Sequence, residues 1–137
     1  MIAGAAIAKG ATVATSQPTQ STSYVDLATA GPAVTVNTGT TAVVSINAQM
    51  ENNTSSGWCL MSFAVSGATT IAASDDRCVG FEQTTSTSGQ GMQMSSTFII
   101  TGLTPGSNTF TAKYRTLNAA HTVTFLRRNI VVLPLGV

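Results

Sequence analysis

The residues that could carry chemistry in this sequence are few, with one histidine and five carboxylates among 137 residues. His121 lies in the segment Leu117–Thr122, which we predict to be a hairpin loop. A nucleophile–base pair would have to use it, with Asp26, Asp75 or Asp76 as the orienting acid. No spacing selects a serine or threonine partner. We therefore predict an exposed loop histidine, no enzymatic activity, no catalytic residues and no cofactor.

The adjacent acids Asp75 and Asp76 allow two interpretations. Together with Ser74 and loop carbonyls, they could supply oxygen ligands for a hard cation such as Ca²⁺. Arg77 follows immediately and can pair with either carboxylate. We favour a solvated loop or a local ion pair, and we predict no metal site.

The basic pair and the single tryptophan also allow alternatives. On a strand, Arg127 and Arg128 would point to opposite faces, so one would face solvent or a partner and the other could pair with a carboxylate. A net charge of +1 without a basic run gives no support for nucleic-acid binding. Trp58 follows Gly57 at a predicted strand start. Exposed, it could stack on a sugar ring; buried, it would close the end of a sandwich.

The two cysteines, Cys59 and Cys78, are too few for a disulfide framework, and their spacing matches no metal motif. They could pair if their strands are neighbours, or remain thiols that pack as small hydrophobic side chains. We favour the thiols.

Alternation of apolar and polar residues is the dominant pattern, and it is typical of half-buried strands. The predicted strands are Thr41–Met50, Trp58–Ser66, Met92–Ile100, Thr109–Arg115, Val123–Leu126 and Asn129–Leu135, with weaker candidates at Thr22–Leu27, Val34–Val36 and Val79–Gln83. We predict a core that includes Val44, Ile46, Met61, Phe63, Val65, Phe98, Ile100, Phe110, Tyr114 and Val132.

Turn residues separate these strands, among them Pro105-Gly106, which presets a tight turn before the next strand. Short strands at this spacing, without an amphipathic helix, indicate an all-β fold. We predict an antiparallel β-sandwich, jelly-roll or immunoglobulin-like, over residues 21–137. No stretch approaches the roughly 20 apolar residues of a membrane span.

Residues 1–20 form a predicted N-terminal arm, extended or loosely helical. Its composition is too poor in large side chains to fold alone. An ordered arm must therefore lie on its own domain or on a neighbouring subunit. Ile2, Ile7 and Val13 are its sizeable apolar side chains, and we predict that they bind a partner.

The composition favours a protein that assembles with other subunits over one that stays a separate domain in solution. Only 8% of residues are charged, and Thr and Ser make up about a quarter of the chain. A surface that is neutral but rich in hydrogen-bonding groups suits a protein packed against copies of itself or a larger particle. An extracellular β-domain of ordinary solubility is the alternative.

Four segments together resemble a β-domain that recurs in virion proteins of tailed bacteriophages, particularly those that infect actinobacteria. They are Ser21–Met50, Met61–Thr70, Gly102–Arg115 and Phe125–Gly136. In that family the domain often follows a docking region or a collagen-like stalk, and this sequence has neither.

The resemblance therefore implies a small virion protein, assembled in the host cytoplasm. We expect a capsid decoration protein that forms a homotrimer and binds the major capsid protein, with no nucleic-acid or membrane partner. The alternatives are a tail-associated fibre module that contacts host glycan, and a bacterial surface adhesion module.

Overall fold

The computed structural model describes residues 7–54, 56–83 and 91–136. Within these residues the chain is built from strands, and its one helical element is a three-residue 3₁₀ turn at Asp75–Arg77. The strands are β1 (Lys9–Val13), β2 (Gln17–Thr19), β3 (Ala33–Thr38), β4 (Thr41–Asn52), β5 (Gly57–Gly67), β6 (Val79–Gln83), β7 (Met92–Ile100), β8 (Gly106–Arg115) and β9 (Val123–Leu135).

The strands form two antiparallel sheets packed face to face. The front sheet has the order β1-β9-β4-β7, with β2 also paired to β9, and the back sheet has the order β3-β8-β5-β6. Every strand pairing is antiparallel. The predicted all-β sandwich, consistent with a jelly roll, is confirmed.

The central strand β4 shows how the alternating sequence makes the sandwich. Ala42, Val44, Ile46, Ala48 and Met50 are fully buried between the sheets. The residues between them are half-buried on the outer face of the front sheet. Because side chains alternate along a strand, this single pattern fixes both the core and the outer surface.

The predicted core is confirmed for nine of its ten residues, and Phe98 is half-buried and packs against it. Phe63 lies at the centre, with ring centroids 6.2 Å from both Phe98 and Phe110. Tyr114 packs on Phe125 at 4.8 Å. Aromatic side chains from both sheets therefore meet across the interior.

The last strand corrects the prediction of two separate strands, Val123–Leu126 and Asn129–Leu135. They are one strand with a bulge, where the register to β4 shifts between Asn47 and Gln49. Arg127 occupies the bulge with a φ of 49°. The extra residue exchanges the two faces of β9, so Phe125 and Arg128 are both buried.

The weak candidate Thr22–Leu27 is not a strand. Its backbone pairs with the back sheet through one bridge, in which Val25 and Tyr114 exchange two backbone hydrogen bonds of 3.0 Å. The Pro105-Gly106 turn is confirmed, because Gly106 begins β8 with a φ of 137° that favours glycine.

The described part of the predicted arm lies on the protein's own front sheet. β1 pairs with Arg128–Val132 and β2 with Val123–Phe125, both along β9. Of the two alternatives for an ordered arm, residues 9–19 therefore take the one within the chain. They contribute backbone hydrogen bonds and little apolar burial, since β1 and β2 contain no fully buried residue.

Candidate interaction surface

The outer face of the front sheet carries no charged side chain over most of its width, and we call this region the neutral face. Its members share an outward direction on four neighbouring strands. They are Gly10 and Thr12 on β1, Asn129, Val131 and Leu133 on β9, Val43, Ser45, Asn47 and Gln49 on β4, and Gln93, Ser95, Thr97 and Ile99 on β7.

The polar side chains of the neutral face bond to one another across the strands. Asn47 Oδ1 accepts from Gln93 Nε2 at 3.1 Å and from Asn129 Nδ2 at 3.0 Å. Thr12 Oγ1 donates to Asn129 Oδ1. Ser45 and Thr97 share a hydroxyl bond of 2.7 Å. Paired in this way, these groups hold fixed positions on the sheet.

Apolar residues form one end of the neutral face. Ile99 is 69% exposed and Val131 is 43% exposed, and Leu135 stands just beyond them. Val43 and Leu133 are half-buried at the same end. Val43 lies between its two strand partners, Ile99 on β7 and Leu133 on β9. Contiguous exposed apolar side chains mark contact surfaces more often than scattered ones do.

Charged residues stand at the opposite end of this side. Arg127 leaves the bulge and donates to Gln49 Oε1 at 3.0 Å, and Glu51 lies beyond it on β4. We predicted that one arginine of the pair would face solvent or a partner and that the other could pair with a carboxylate; only the first part is confirmed. Arg127 is exposed, but Arg128 is fully buried and finds no carboxylate among the described residues.

Arg128 instead donates hydrogen bonds to uncharged oxygens of β2 and of the loop before β3. Its guanidinium donates to the carbonyls of Thr29 at 3.2 Å and Gly31 at 3.1 Å, and to Gln17 Oε1 at 2.8 Å. It also lies 5.3 Å from the centre of the Tyr114 ring. These partners come from β2, from the loop before β3 and from β8, so the buried cation links all three to β9.

The outer face of the back sheet carries the ion pairs. Asp75 accepts from Arg115 and from the Tyr24 hydroxyl at 2.8 Å, and Lys113 pairs with Asp26 at 2.7 Å. The bonds from Arg115 lower the pKa of Asp75 and raise that of Arg115. Asp75 pairs with Arg115 rather than with Arg77, because the fold brings Arg115 closer. Asp76 is exposed, in agreement with the solvated-loop alternative.

These contacts fasten two connecting segments across the back sheet. Arg77 Nη2 donates to the carbonyl of Ala72 at 2.9 Å, so it stabilises its own loop. Burial raises the pKa of the Tyr24 hydroxyl.

No group of three or more potential metal-ligating side chains occurs in the described ranges, so the calcium alternative gains no support.

His121 lies in the β8–β9 loop, as predicted, but it is half-buried rather than exposed. Its Nδ1 has no hydrogen-bond partner within the described residues. The carboxylates Asp26 and Asp75 are committed to Lys113 and Arg115 on the back sheet. This arrangement does not assemble a nucleophile, base and orienting acid, and the absence of enzymatic activity stays a prediction.

Cys59 and Cys78 are both free thiols. Cys59 is fully buried in the core, and burial raises its pKa to about 12. Cys78 is half-buried, and burial raises its pKa as well.

Trp58 is 36% exposed and lies opposite Glu82 on the neighbouring strand β6.

The three arm residues predicted to bind a partner differ in where they lie. Ile2 lies outside the described residues. Ile7 is 69% exposed, and Val13 is half-buried at the end of β1, opposite Arg128. Their role in partner binding stays a prediction.

Two open depressions lie near the edges of the front sheet. One, of about 330 Å³, lies beside the end of β7 and is lined by residues including Ile71, Arg77, Phe98 and Ile100. The other, of about 360 Å³, is lined by Pro18, Thr19, Gln20 and Thr122. No helix of the described chain is long and apolar enough to cross a membrane.

Comparison with known proteins gives no sequence relative. No protein-family profile matches the chain, and no curated protein matches its sequence. Solved structures do match. A protein of the infectious bursal disease virus Gx strain aligns with a TM-score of 0.62 and 12% identity, over 95% of this chain and 32% of that one. The VP2 subviral particle of the same virus gives 0.61 and 12%, over 93% and 32%.

The likeness is one of fold. The Eiger TNF of S. frugiperda matches as well, with a TM-score of 0.64 and 10% identity over 96% of this chain and 93% of that one. This chain spans about a third of the length of the viral proteins. It therefore shares a β-sandwich with proteins of infectious bursal disease virus and with a TNF protein alike, and the fold alone does not choose between their roles.

Proposed function

We propose that this protein is a structural virion protein, a capsid decoration protein that binds the outer surface of a tailed-phage head. Two independent lines support the proposal. Segments of the sequence resemble a β-domain of tailed-phage virion proteins. The fold is shared with proteins of infectious bursal disease virus, one of them in a subviral particle.

The neutral face is the observation that carries the proposal. It spans four strands, lacks charge over most of its extent, and ends in exposed Ile99 and Val131. Its polar side chains already bond to one another, so covering them with a partner costs little desolvation. The apolar end supplies area whose burial drives association. Its role is therefore adhesion to another protein surface.

Adhesion of this kind stabilises a mature capsid by mass action. A protein that binds the mature lattice, but not the dissociated subunits, lowers the free energy of the mature state by RT ln(1 + [L]/Kd) per site. The proposal includes the major capsid protein as partner, the virion as location after assembly in the host cytoplasm, and a homotrimer placed at three-fold positions. A closed trimer would give each site three linked contacts and thus a higher avidity.

Binding to purified mature heads, measured by cosedimentation, tests the proposal. Val131→Lys places a charge within the apolar end of the neutral face, so we expect its affinity to fall at least tenfold, about 1.4 kcal/mol. Ser66→Lys adds the same charge at an exposed position of β5, on the back sheet, and should bind as the parent does. Equal binding by both variants, or no binding by the parent chain, would contradict the proposal.

The exposed Trp58 favours the tail-fibre alternative, because an accessible indole can stack on a sugar ring. It is 36% exposed, with the carboxylate-bearing Glu82 opposite. A glycan array decides between the two functions. Binding to glycans that is lost in Trp58→Ala, together with no binding to heads, would establish the alternative.

A further inference from the structure

We propose that β7 pairs antiparallel with β7 of a second copy of this chain, about a two-fold axis at Ser96. The contact concerns self-association in solution and does not depend on the virion role. It would add a two-fold contact to the proposed three-fold assembly. Within the part of the chain that the structure describes, β7 pairs only with β4, and its other edge has no strand partner.

The free edge of β7 lacks the devices that normally keep edges apart. Its nine residues, MQMSSTFII, include no charged residue and no proline. Its register with β4 runs without a bulge from Met92 to Ile100. A long, regular edge of this kind presents unpaired backbone N–H and C=O groups and is a template for another strand.

The other edges of the two sheets are shorter or carry protective residues. β3, an edge of the back sheet, has only six residues. Lys9 of β1 donates from Nζ to the carbonyl of Thr35 on β3 at 3.3 Å, so it covers that side of the sandwich. β2 contains Pro18, and β6 carries the exposed Glu82. Among the described strands, β7 is therefore the edge that sequence and structure leave open.

A second copy of β7 is the occupant that fits this edge, because the strand is complementary to itself. Rotation about Ser96 matches all nine residues and pairs inward-facing residues with inward-facing residues. On the inner side Met94 meets Phe98 of the second copy. On the outer side Ser95 meets Thr97. No like charges face each other anywhere along the pair.

The depression beside β7 supports the same pairing. It has a volume of about 330 Å³ and is lined in part by Ile71, Phe98 and Ile100. In the two-fold register, Met92 of the second copy lies opposite Ile100. Met92 is 51% exposed in the single chain. Pairing would place this flexible apolar side chain at the depression, and symmetry would do so twice.

The contact would join the two front sheets into one continuous sheet. Because outward residues pair with outward residues, the two neutral faces would lie side by side on the same surface. The outcome is a doubled docking surface, which deepens the adhesive role proposed above. On a lattice that contains both two-fold and three-fold positions, it would link neighbouring decoration units.

A cysteine on the proposed axis tests the register directly. In full-length chain carrying Cys78→Ser, we would introduce Ser96→Cys and oxidise the protein at micromolar concentration. Directly opposed residues of an antiparallel pair have Cα atoms about 4.5–5.5 Å apart, within disulfide reach. Non-reducing electrophoresis should show a covalent dimer. Gln93→Cys is the matched control, since two copies would stand roughly 20 Å apart and should stay uncrosslinked.

A charge on the edge tests the association without a crosslink. Ser95→Lys protects the edge as natural lysines do, so we expect sedimentation to show at least tenfold weaker two-fold association, with any three-fold association retained. Ser66→Lys should leave it unchanged, and both variants should keep the parent's thermal transition. The pairing is refuted if Ser96→Cys and Gln93→Cys crosslink equally, if neither does, or if Ser95→Lys associates as the parent does. None of these outcomes bears on binding to heads.

Discussion

Replacing Arg128 with methionine should destabilise the protein, although it removes a buried cation. The methionine keeps the apolar stem and deletes the guanidinium, which donates three hydrogen bonds of 2.8–3.2 Å. Hydrogen bonds from a charged donor contribute about 1.5–3 kcal/mol each, so the gross loss is roughly 5–9 kcal/mol. Removing the desolvation penalty of the buried cation returns several kcal/mol.

The net loss should be about 2–4 kcal/mol, because two of the three acceptors keep another donor. The Gly31 carbonyl still accepts from the Tyr114 hydroxyl at 2.8 Å, and Gln17 Oε1 still accepts from the Thr29 N–H at 2.9 Å. No acceptor is therefore left fully unpaired except the Thr29 carbonyl, which lies in an exposed residue. That limits the loss to the direct bonds and the contact with the Tyr114 ring.

Urea unfolding, followed by the fluorescence of the single tryptophan, measures this difference. Arg127→Met is the matched control, because Arg127 occupies the same bulge but is exposed. It should change the free energy of unfolding by less than about 0.5 kcal/mol. If Arg128→Met were as stable as the parent or more so, desolvation of the cation would outweigh its hydrogen bonds, and the reasoning would be wrong.

Three further predictions follow from charge and burial. Asp75, whose pKa is lowered by Arg115, contributes stability above its unfolded pKa that is lost as pH falls through its folded pKa. Asp75→Asn should therefore reduce the acid dependence of unfolding below about pH 4, by less than about 1 kcal/mol because the carboxylate is half-exposed. Native-state alkylation at pH 8, read by mass spectrometry, should modify Cys78 slowly and Cys59 only after unfolding, since burial raises the pKa of Cys59 to about 12; equal rates would contradict this. Sedimentation of the Ser95→Lys variant should give a homotrimer, and a monomer at micromolar concentration would exclude it.

The local pattern was enough to predict the strands and the core. Alternation places Val44, Ile46, Met61 and Phe63 inside without any knowledge of their partners, because a strand has only two faces and the apolar one must be buried. Burial of Cys59 follows from the same alternation, since it lies on the inner face of its strand with Met61 and Phe63. The scarcity of charge likewise predicts a neutral surface.

Pairings between distant segments were not predictable from the sequence. Asp75 pairs with Arg115 rather than adjacent Arg77, because the crossing of two segments over the back sheet sets the distance. The neutral face depends on the strand order β1-β9-β4-β7, which no local pattern specifies.

Arg128 shows the limit most clearly. Uninterrupted alternation along β9 would turn either Arg127 or Arg128 inward, without saying which. The sequence by itself determined that this is a β-sandwich with a core of alternating apolar residues. The tertiary structure decided, through one bulge at Arg127, that Arg128 is the buried one, and that its partners are carbonyl oxygens and an amide oxygen rather than a carboxylate. The physical reason is that periodicity is a property of neighbours along the chain, whereas a bulge and a buried charge are stable only if groups from elsewhere in the chain satisfy them.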